Sequence, residues 1–290
     1  MIKISIIALC LSVLLLTSPI ILVTSVAHAE ANTITKEIQE RAKQGDAEAQ
    51  LILARFYASK NEEKAASFFL KAAEGGSIEA QAITGILYAD GTGLPQNTED
   101  SIKWLNKAAQ RGHAKAQIIL GEMYAYGNGV PQDYAKALKL FQKAAQKNDK
   151  HAQYKIALLH YTASGIPQDS EKAAKWFRKA ADQDLSGAQI LLGGMYELGE
   201  GVPQDYSKAA MWYKKVAEKG NNTAQAELGR LYAKGQGVAQ DYVESYFWFN
   251  LAATSGKKNI AEARDMVKNK LTPEAILETQ KRVREWKPKK

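Results

Sequence analysis

An Ala-Gln pair recurs five times in this chain at a constant spacing of 36 residues. The pairs begin at Ala80, Ala116, Ala152, Ala188 and Ala224. Ala49 begins a sixth, shorter copy that lacks five residues of the turn. A fixed period of this length is typical of proteins that repeat one supersecondary unit, because each unit buries its apolar face only against its neighbour. The spacing therefore predicts an array of stacked units.

Each unit is predicted to be two helices joined by a turn. In the second full unit, the first helix runs roughly over Gln117–Tyr126, which is rich in Ala, Leu, Ile and Met. Gly127 and Gly129 end this helix, because glycine accepts the left-handed backbone conformation that other residues resist. Pro131 prevents a simple continuation. Asp133, or the glutamine before it, is expected to cap the second helix.

The recurring aspartates and tryptophans have structural explanations. One aspartate per unit lies in separate units along one edge, so helix capping explains the set better than acid–base catalysis. The aspartates are Asp133, Asp169, Asp205 and Asp241. One tryptophan stands beside the alanine pair in four of the second helices, which favours a place in the core over a stacking surface for bases or sugars. The tryptophans are Trp104, Trp176, Trp212 and Trp248.

The order of these residues resembles the Sel-one-like repeat family, relatives of the tetratricopeptide solenoids. Alanine, Leu-Gly, tyrosine, Gly-x-Gly-Val-Pro-x-Asp, alanine, an aromatic pair and Lys-Ala-Ala follow one another as in that family. The resemblance covers about residues 46–256 and implies an all-α fold, a right-handed α/α superhelix (solenoid) of about six helix-turn-helix repeats. Expected units are near 46–76, 77–112, 113–148, 149–184, 185–220 and 221–256. Local turn geometry is in doubt where the pattern departs, at Asn97, Asn148, Ala157, Ala163 and Asp184.

The two ends of the chain are expected to serve other purposes. Residues 1–29 have the features of a secretory signal peptide, with Lys3, an apolar run and small residues before a cleavage point after Ala29. An uncleaved membrane anchor is the alternative, since the apolar stretch approaches bilayer-spanning length. Cleavage would lower the net charge from +8 to +7 and remove Cys10, the one cysteine.

Helices are expected to flank the repeats. A leading helix is predicted within residues 30–45. Capping helices and a basic tail are predicted for residues 257–290, with Thr272 as a helix cap and Pro273 at the first helical position. The basic end that contains Arg282 and Arg284 is expected to be solvated. Contact with anionic lipid or an acidic protein is the alternative.

Motifs for catalysis or cofactor binding are not found in the sequence. The Gly-x-Gly turns lack the Gly-Lys-Ser/Thr ending of a phosphate loop, and no Gly-x-Ser-x-Gly elbow occurs. His113, His151 and His160 form no His-Glu-x-x-His motif. We therefore predict no catalytic residue, no cofactor and no metal site.

Positions that vary between units are candidates for recognition. The third, sixth and tenth residues after each alanine lie on one face of the first helix. The resemblance implies that this face lines a concave groove. The predicted protein-binding groove contains Ile83, Ile86, Ile119, Glu122, Tyr126, Lys155, Leu158, Leu191, Leu198, Glu227, Arg230 and Lys234. A soluble protein seldom exposes a long apolar stripe without a use. The alternative is that several of these residues pack between units.

The leading functional prediction is a non-enzymatic, protein-binding scaffold or adaptor in the periplasm, or secreted further. The resemblance also implies an alternative, an immunity protein that inhibits a cognate antibacterial effector such as a secreted lipase or phospholipase. The expected partner is another protein. Nucleic acid is not expected for an exported chain, and membrane contact is expected only if the signal segment is retained.

Overall fold

The computed structural model describes residues 35–162, 165 and 167–289. The expected signal segment and Ala163 lie outside these residues. The described part of the chain contains helices and turns and no strand, and its six repeats confirm the predicted all-α solenoid fold. The chain forms two compact units, one ending at Ala144 and one beginning at Ala145.

The first unit begins with a single helix, which is followed by three helix pairs. Its helices are α1 (Lys36–Lys43), α2 (Ala47–Tyr57), α3 (Glu62–Glu74), α4 (Ile78–Asp90), α5 (Thr98–Gln110), α6 (Ala114–Tyr126) and α7 (Tyr134–Ala145). The last residue of α7 belongs to the second unit. Within this unit α2 packs on α3, and α4 on α5, as the two helices of one repeat. Between repeats, α3 packs on α4, and α5 on α6.

The second unit contains three helix pairs and two further helices. These are α8 (Lys150–Tyr161), α9 (Ser170–Asp182), α10 (Ser186–Leu198), α11 (Tyr206–Ala217), α12 (Asn222–Lys234), α13 (Tyr242–Ala252), α14 (Lys258–Lys268) and α15 (Pro273–Glu285). Helices α14 and α15 both pack on α13. Thr272 caps α15 by accepting a hydrogen bond from the amide of Ala275, and Pro273 is the first helical residue.

The turn block of each full repeat fixes the two helices to each other. The predicted aspartate caps are confirmed at Asp133, Asp169, Asp205 and Asp241, whose carboxylates accept amide hydrogen bonds at the start of each second helix. The turn glutamine donates to a carbonyl near the end of the first helix. These bonds join Gln96 to Ala89, Gln132 to Ala125, Gln168 to Tyr161, Gln204 to Glu197 and Gln240 to Ala233, at 2.8–3.1 Å. The turn thus satisfies polar groups at both helix ends.

The glutamine of the Ala-Gln pair links consecutive repeats. Its buried amide nitrogen donates to a carbonyl in the last turn of the preceding helix. The bonds join Gln50 to Ala42, Gln81 to Ala73, Gln117 to Ala109, Gln189 to Ala181 and Gln225 to Ala217, at 2.9–3.2 Å. Gln153 differs, since it donates to Asn148 Oδ1 at 2.9 Å and accepts from Gln183 at 2.8 Å. The recurrence of this glutamine therefore follows from an unpaired carbonyl at each helix end.

Two glycine positions recur because neighbouring atoms leave no room for a side chain. A Cβ atom at Gly121 would lie 2.6 Å from Phe141 Cε1, on the second helix of the same repeat. A Cβ atom at Gly201 would lie 2.1 Å from the carbonyl oxygen of Ser170, at the start of the preceding repeat's second helix. The first position sets the spacing within a repeat, and the second sets the spacing between repeats.

Departures from the repeat pattern preserve the turn geometry. Asn148 and Asp184 stand where other repeats have glycine, and both adopt positive φ values, 57° and 66°. Asn97 caps α5 in place of aspartate. Ala157 is fully buried where other first helices have glycine. Asparagine and aspartate tolerate the left-handed conformation better than other non-glycine residues, so the helix pairs are retained.

The tryptophans were predicted to be core residues, and one is not fully buried. Trp104, Trp212 and Trp248 are buried, the second with 2% of its surface exposed. Trp176 packs against the core of the second unit but remains half-buried. The core assignment is correct for three of the four positions.

The C-terminal basic residues are exposed to solvent, as predicted, and the end of the chain is in addition anchored to the second unit. The amide of Lys289 donates to the carbonyl of Glu218 at 2.8 Å, and its ammonium group lies 2.8 Å from the Glu218 carboxylate. Trp286 and Pro288 lie against Gly220. We call residues 286–289 the C-terminal strap. It ties the end of the chain to the end of α11.

Candidate functional site

The candidate site is the face of the first helices that carries the predicted groove residues. We call it the first-helix face, and each unit contributes its own part. In the first unit it lies on α4 and α6, and in the second unit on α8, α10 and α12.

In the first unit, packing removes most of the predicted face from solvent. Ile86 is 4% exposed and belongs to a core cluster, so its assignment to the groove surface is wrong. Ile83 and Ile119 are half-buried and pack against core residues. Glu122 is half-buried as well. Tyr126 is 59% exposed at the end of α6. Among the predicted groove residues of this unit, it is therefore the one that offers a large apolar surface to a partner.

In the second unit the same distinction holds. Leu158 and Leu191 are half-buried and pack against the core, so they belong to the scaffold as well as to the surface. Leu198 is 64% exposed at the end of α10. Lys155 is half-buried, and Lys234 is exposed at the end of α12. The exposed apolar residues thus lie at the ends of first helices, beside the turns.

Glu227 and Arg230 form a charged cluster with two residues that sequence reasoning missed. Arg230 Nη2 donates to both carboxylate oxygens of Glu197 at 2.5 and 2.6 Å, and Arg230 Nε donates to Glu227 at 2.8 Å. Tyr213 Oη donates to Glu197 at 3.3 Å. We call these four residues the Arg230 cluster. Glu197 lies nine residues after Ala188, one position before the residues that were compared between repeats, which is why it was missed.

The cluster is partly shielded from water, and this shifts the pKa values of its members. Burial raises the pKa of the Tyr213 hydroxyl well above its ordinary value, and the charge of Glu197 adds to this. Tyr213 is therefore a neutral hydrogen-bond donor at neutral pH. Although burial alone lowers the pKa of Arg230, Glu227 and Glu197 raise it above its usual range. The guanidinium group is thus permanently charged and held in one orientation by two carboxylates.

Another polar contact joins consecutive repeats in this unit. Tyr161 Oη, at the end of α8, donates to Glu200 Oε2 at 2.9 Å. Burial and the neighbouring carboxylate raise the pKa of Tyr161. Along the sequence, Leu198 therefore lies between Glu197, which belongs to the Arg230 cluster, and Glu200, which accepts the hydrogen bond from Tyr161.

The histidines and acidic residues of the described chain are spread over separate helices and turns. Within these ranges no group of three or more His, Cys, Asp or Glu side chains could hold a metal ion. His113 caps α6, and burial lowers the pKa of His160. None of the helices in the part of the chain that the structure describes is long and apolar enough to span a bilayer.

Comparisons with known proteins agree with this architecture. The Sel1 repeat profile matches residues 47–77, 78–113, 114–149, 150–185, 186–221 and 222–257. No curated protein matches the chain significantly.

Solved structures with this repeat are similar to the chain. A Sel1 repeat protein from Oxalobacter formigenes is 31% identical, with a TM-score of 0.66, over 74% of this chain and 86% of that one. A putative Sel1 repeat protein from Klebsiella pneumoniae is 25% identical, with a TM-score of 0.45, over 68% and 98%. The immunity protein Pa5087 from Pseudomonas aeruginosa is 21% identical, with a TM-score of 0.43, over 72% and 81%.

Proposed function

Because the chain belongs to the Sel1 repeat family, we propose that it is a non-enzymatic scaffold that binds another protein through the first-helix face. The family suggests protein–protein interaction, and the finer assignment to this face rests on the exposure of Tyr126 and Leu198. Sequence features at residues 1–29 support action after export, in the periplasm or outside the cell.

The single observation that carries the assignment is the exposure of these two side chains on otherwise well-packed helices. Large apolar groups at a surface contribute to binding when a partner covers them, and aromatic residues are enriched at the centres of interfaces. In the second unit, Leu198 directly follows Glu197, which binds the guanidinium group of Arg230. A partner that covers Leu198 would therefore also meet a preorganised set of charges, which favours specificity.

The test is capture of partners from an envelope extract by the immobilised chain, with mass spectrometry of the retained proteins. We expect retention of a specific protein to fall at least about tenfold in the Tyr126→Glu/Leu198→Glu variant, because the buried apolar contact is lost and a charge is introduced. Met266→Glu is the control, since Met266 is 67% exposed on α14 and is not one of the predicted groove residues. Retention that is equal in the variant and the control would reject the first-helix face.

The retained protein also separates the two roles expected from the sequence. If it is a secreted lipase or phospholipase, we expect stoichiometric addition of the chain to inhibit that enzyme, as a cognate immunity protein would. If it is an envelope or signalling protein, the adaptor role is supported. Leu158 and Leu191 are unsuitable for this test, since a charge at either position would disturb the core that they contact.

A further inference from the structure

We propose a second binding site in the second unit, for an acidic protein segment, on the second helix α9 and the neighbouring turn. An open cavity of about 910 Å³ lies between α9 and the turn that follows α10. Its apolar lining includes Trp176, Val202 and Pro203, and its rim includes Arg178 and Lys179. The proposal does not rest on the function proposed for the first-helix face.

Trp176 provides the apolar floor of the cavity, because it is more exposed than the tryptophans at the same position in other repeats. The equivalent residues Trp104 and Trp212 are buried, whereas Trp176 is half-buried and lines the cavity. In all three cases a lysine ammonium lies over the ring, at 4.0 Å for Lys179 and Trp176. A partly exposed indole beside a cation offers both an apolar surface and a charge to a ligand.

The opposite wall is held rigidly. Gly201 has a φ of +67°, and its α-carbon lies so close to Ser170 that a side chain would meet the Ser170 carbonyl oxygen at 2.1 Å. This contact fixes the turn on the beginning of α9 and thereby positions Val202 and Pro203. The cavity is therefore preformed, which lowers the entropic cost of binding.

The charges at the rim favour an anionic partner. Two of the lysines in the lining already have carboxylate partners, since Lys172 pairs with Asp169 at 2.9 Å and Lys175 with Glu171 at 2.5 Å. Arg178 and Lys179 form no ion pair with any of the described residues, and their cationic groups lie over Tyr196 and Trp176.

Asp182 is the one carboxylate of the lining without an ion pair among the described residues. Once the paired lysines are set aside, Arg178, Lys179 and Asp182 together give the lining a net charge of about +1. A segment with an aliphatic or proline side chain next to Asp or Glu would complement this site. Its apolar group would lie on Trp176, and its carboxylate would reach Arg178 and Lys179. The concave shape favours such a segment over a flat lipid surface.

The experiment is selection of a random heptapeptide phage library on the immobilised full chain. We expect enriched peptides to contain Asp or Glu beside an aliphatic residue or proline. Synthetic copies should bind at least about tenfold more weakly to the Arg178→Glu/Lys179→Glu variant, because two attractions become repulsions. Trp176→Ala should also weaken binding, whereas Trp176→Phe should retain most of it, and circular dichroism checks that each variant remains helical.

The matched control is Lys139→Glu/Lys143→Glu, an equal charge reversal on exposed residues of α7 that do not line the cavity. The proposal is overturned if no peptide is enriched, if enriched peptides lack acidic residues, or if both charge reversals weaken binding equally. It is also overturned if phosphatidylglycerol vesicles or a dT12 oligonucleotide bind in place of peptides and lose this binding in the Arg178→Glu/Lys179→Glu variant.

Discussion

Gly201 shows how much of the repeat is set by single positions. Its left-handed backbone and its contact with Ser170 both exclude a side chain. Gly256 has a similar φ of +72°, but no atom lies within 4 Å of the position that a Cβ would occupy. The two glycines therefore separate the cost of backbone conformation from the cost of close packing between repeats.

Substitution of these two glycines tests that separation. Gly256→Ala should lower the free energy of unfolding by about 1–2 kcal/mol, the cost of a left-handed conformation for an L-residue. Gly201→Ala should lower it by about 1–3 kcal/mol more, because the alanine methyl group forces the turn away from α9. Urea denaturation followed by circular dichroism measures both. Equal losses would show that the contact with Ser170 contributes nothing.

For single residues, the sequence predicts the structural role well where one hydrogen bond or one close contact determines it. The aspartate caps follow from local backbone requirements within one repeat, and the recurring glycines follow from a left-handed backbone or from one close contact. Burial is harder to predict, because it depends on neighbouring repeats. Ile86 and Glu122 occupy the same position in their repeats, yet the first is in the core and the second is half-buried. Trp176 differs from Trp212 in the same way.

At the scale of the helix, capping makes stability depend on pH. Two hydrogen bonds lower the pKa of Asp205 below its ordinary value, one donated by the Lys208 side chain and one by the Lys208 backbone amide. Asp133 and Asp169 are lowered in the same direction, chiefly by amide hydrogen bonds. A carboxyl with a lowered pKa in the folded state stabilises that state above its unfolded pKa, and this contribution is lost as the pH falls through the folded value.

We therefore expect the melting temperature to fall as the pH is lowered from about 5 to below 4. Asp205→Asn should reduce the steepness of that fall, since an amide can still cap α11 but does not titrate in this range. Asn97 already caps α5 in this way. Thermal melting by circular dichroism at several pH values measures the effect. An unchanged pH dependence in Asp205→Asn would contradict a role of this carboxylate in acid sensitivity.

The helix bounds follow the repeat pattern closely, with differences at the starts. The first helix of the second full repeat was expected to begin near Gln117, and α6 begins at Ala114, since His113 acts as its cap. A histidine cap has no strong sequence signature, so the added turn was not predicted. The C-terminal strap was also missed, because its attachment to Glu218 joins residues that are far apart in sequence.

At the scale of the whole molecule, stability depends on contacts between consecutive repeats. Within each compact unit, consecutive repeats pack through buried alanines, and in five of the six repeats the Ala-Gln glutamine is bonded to the preceding helix. Such arrays behave approximately as a sum of repeat stabilities and nearest-neighbour terms. A repeat can therefore be removed if the new junction reproduces an existing one.

Deletion of residues 77–112 tests this. The deletion joins Gly76 to His113, which caps α6, and brings Gln117 to the position of Gln81. We expect a helical protein that still unfolds cooperatively, with a urea m-value lower by about a seventh, because less surface is exposed on unfolding. A disordered product would show that stability requires more than nearest-neighbour contacts.

The C-terminal end of the array has a consequence for assembly. Helices α14 and α15 cover α13, Arg282 of α15 pairs with Glu244 at 2.6 Å, and the strap closes over the end of α11. A helix pair from another copy that docked on α13 would have to displace both helices and break this ion pair. Head-to-tail docking of another copy on α13 is therefore blocked.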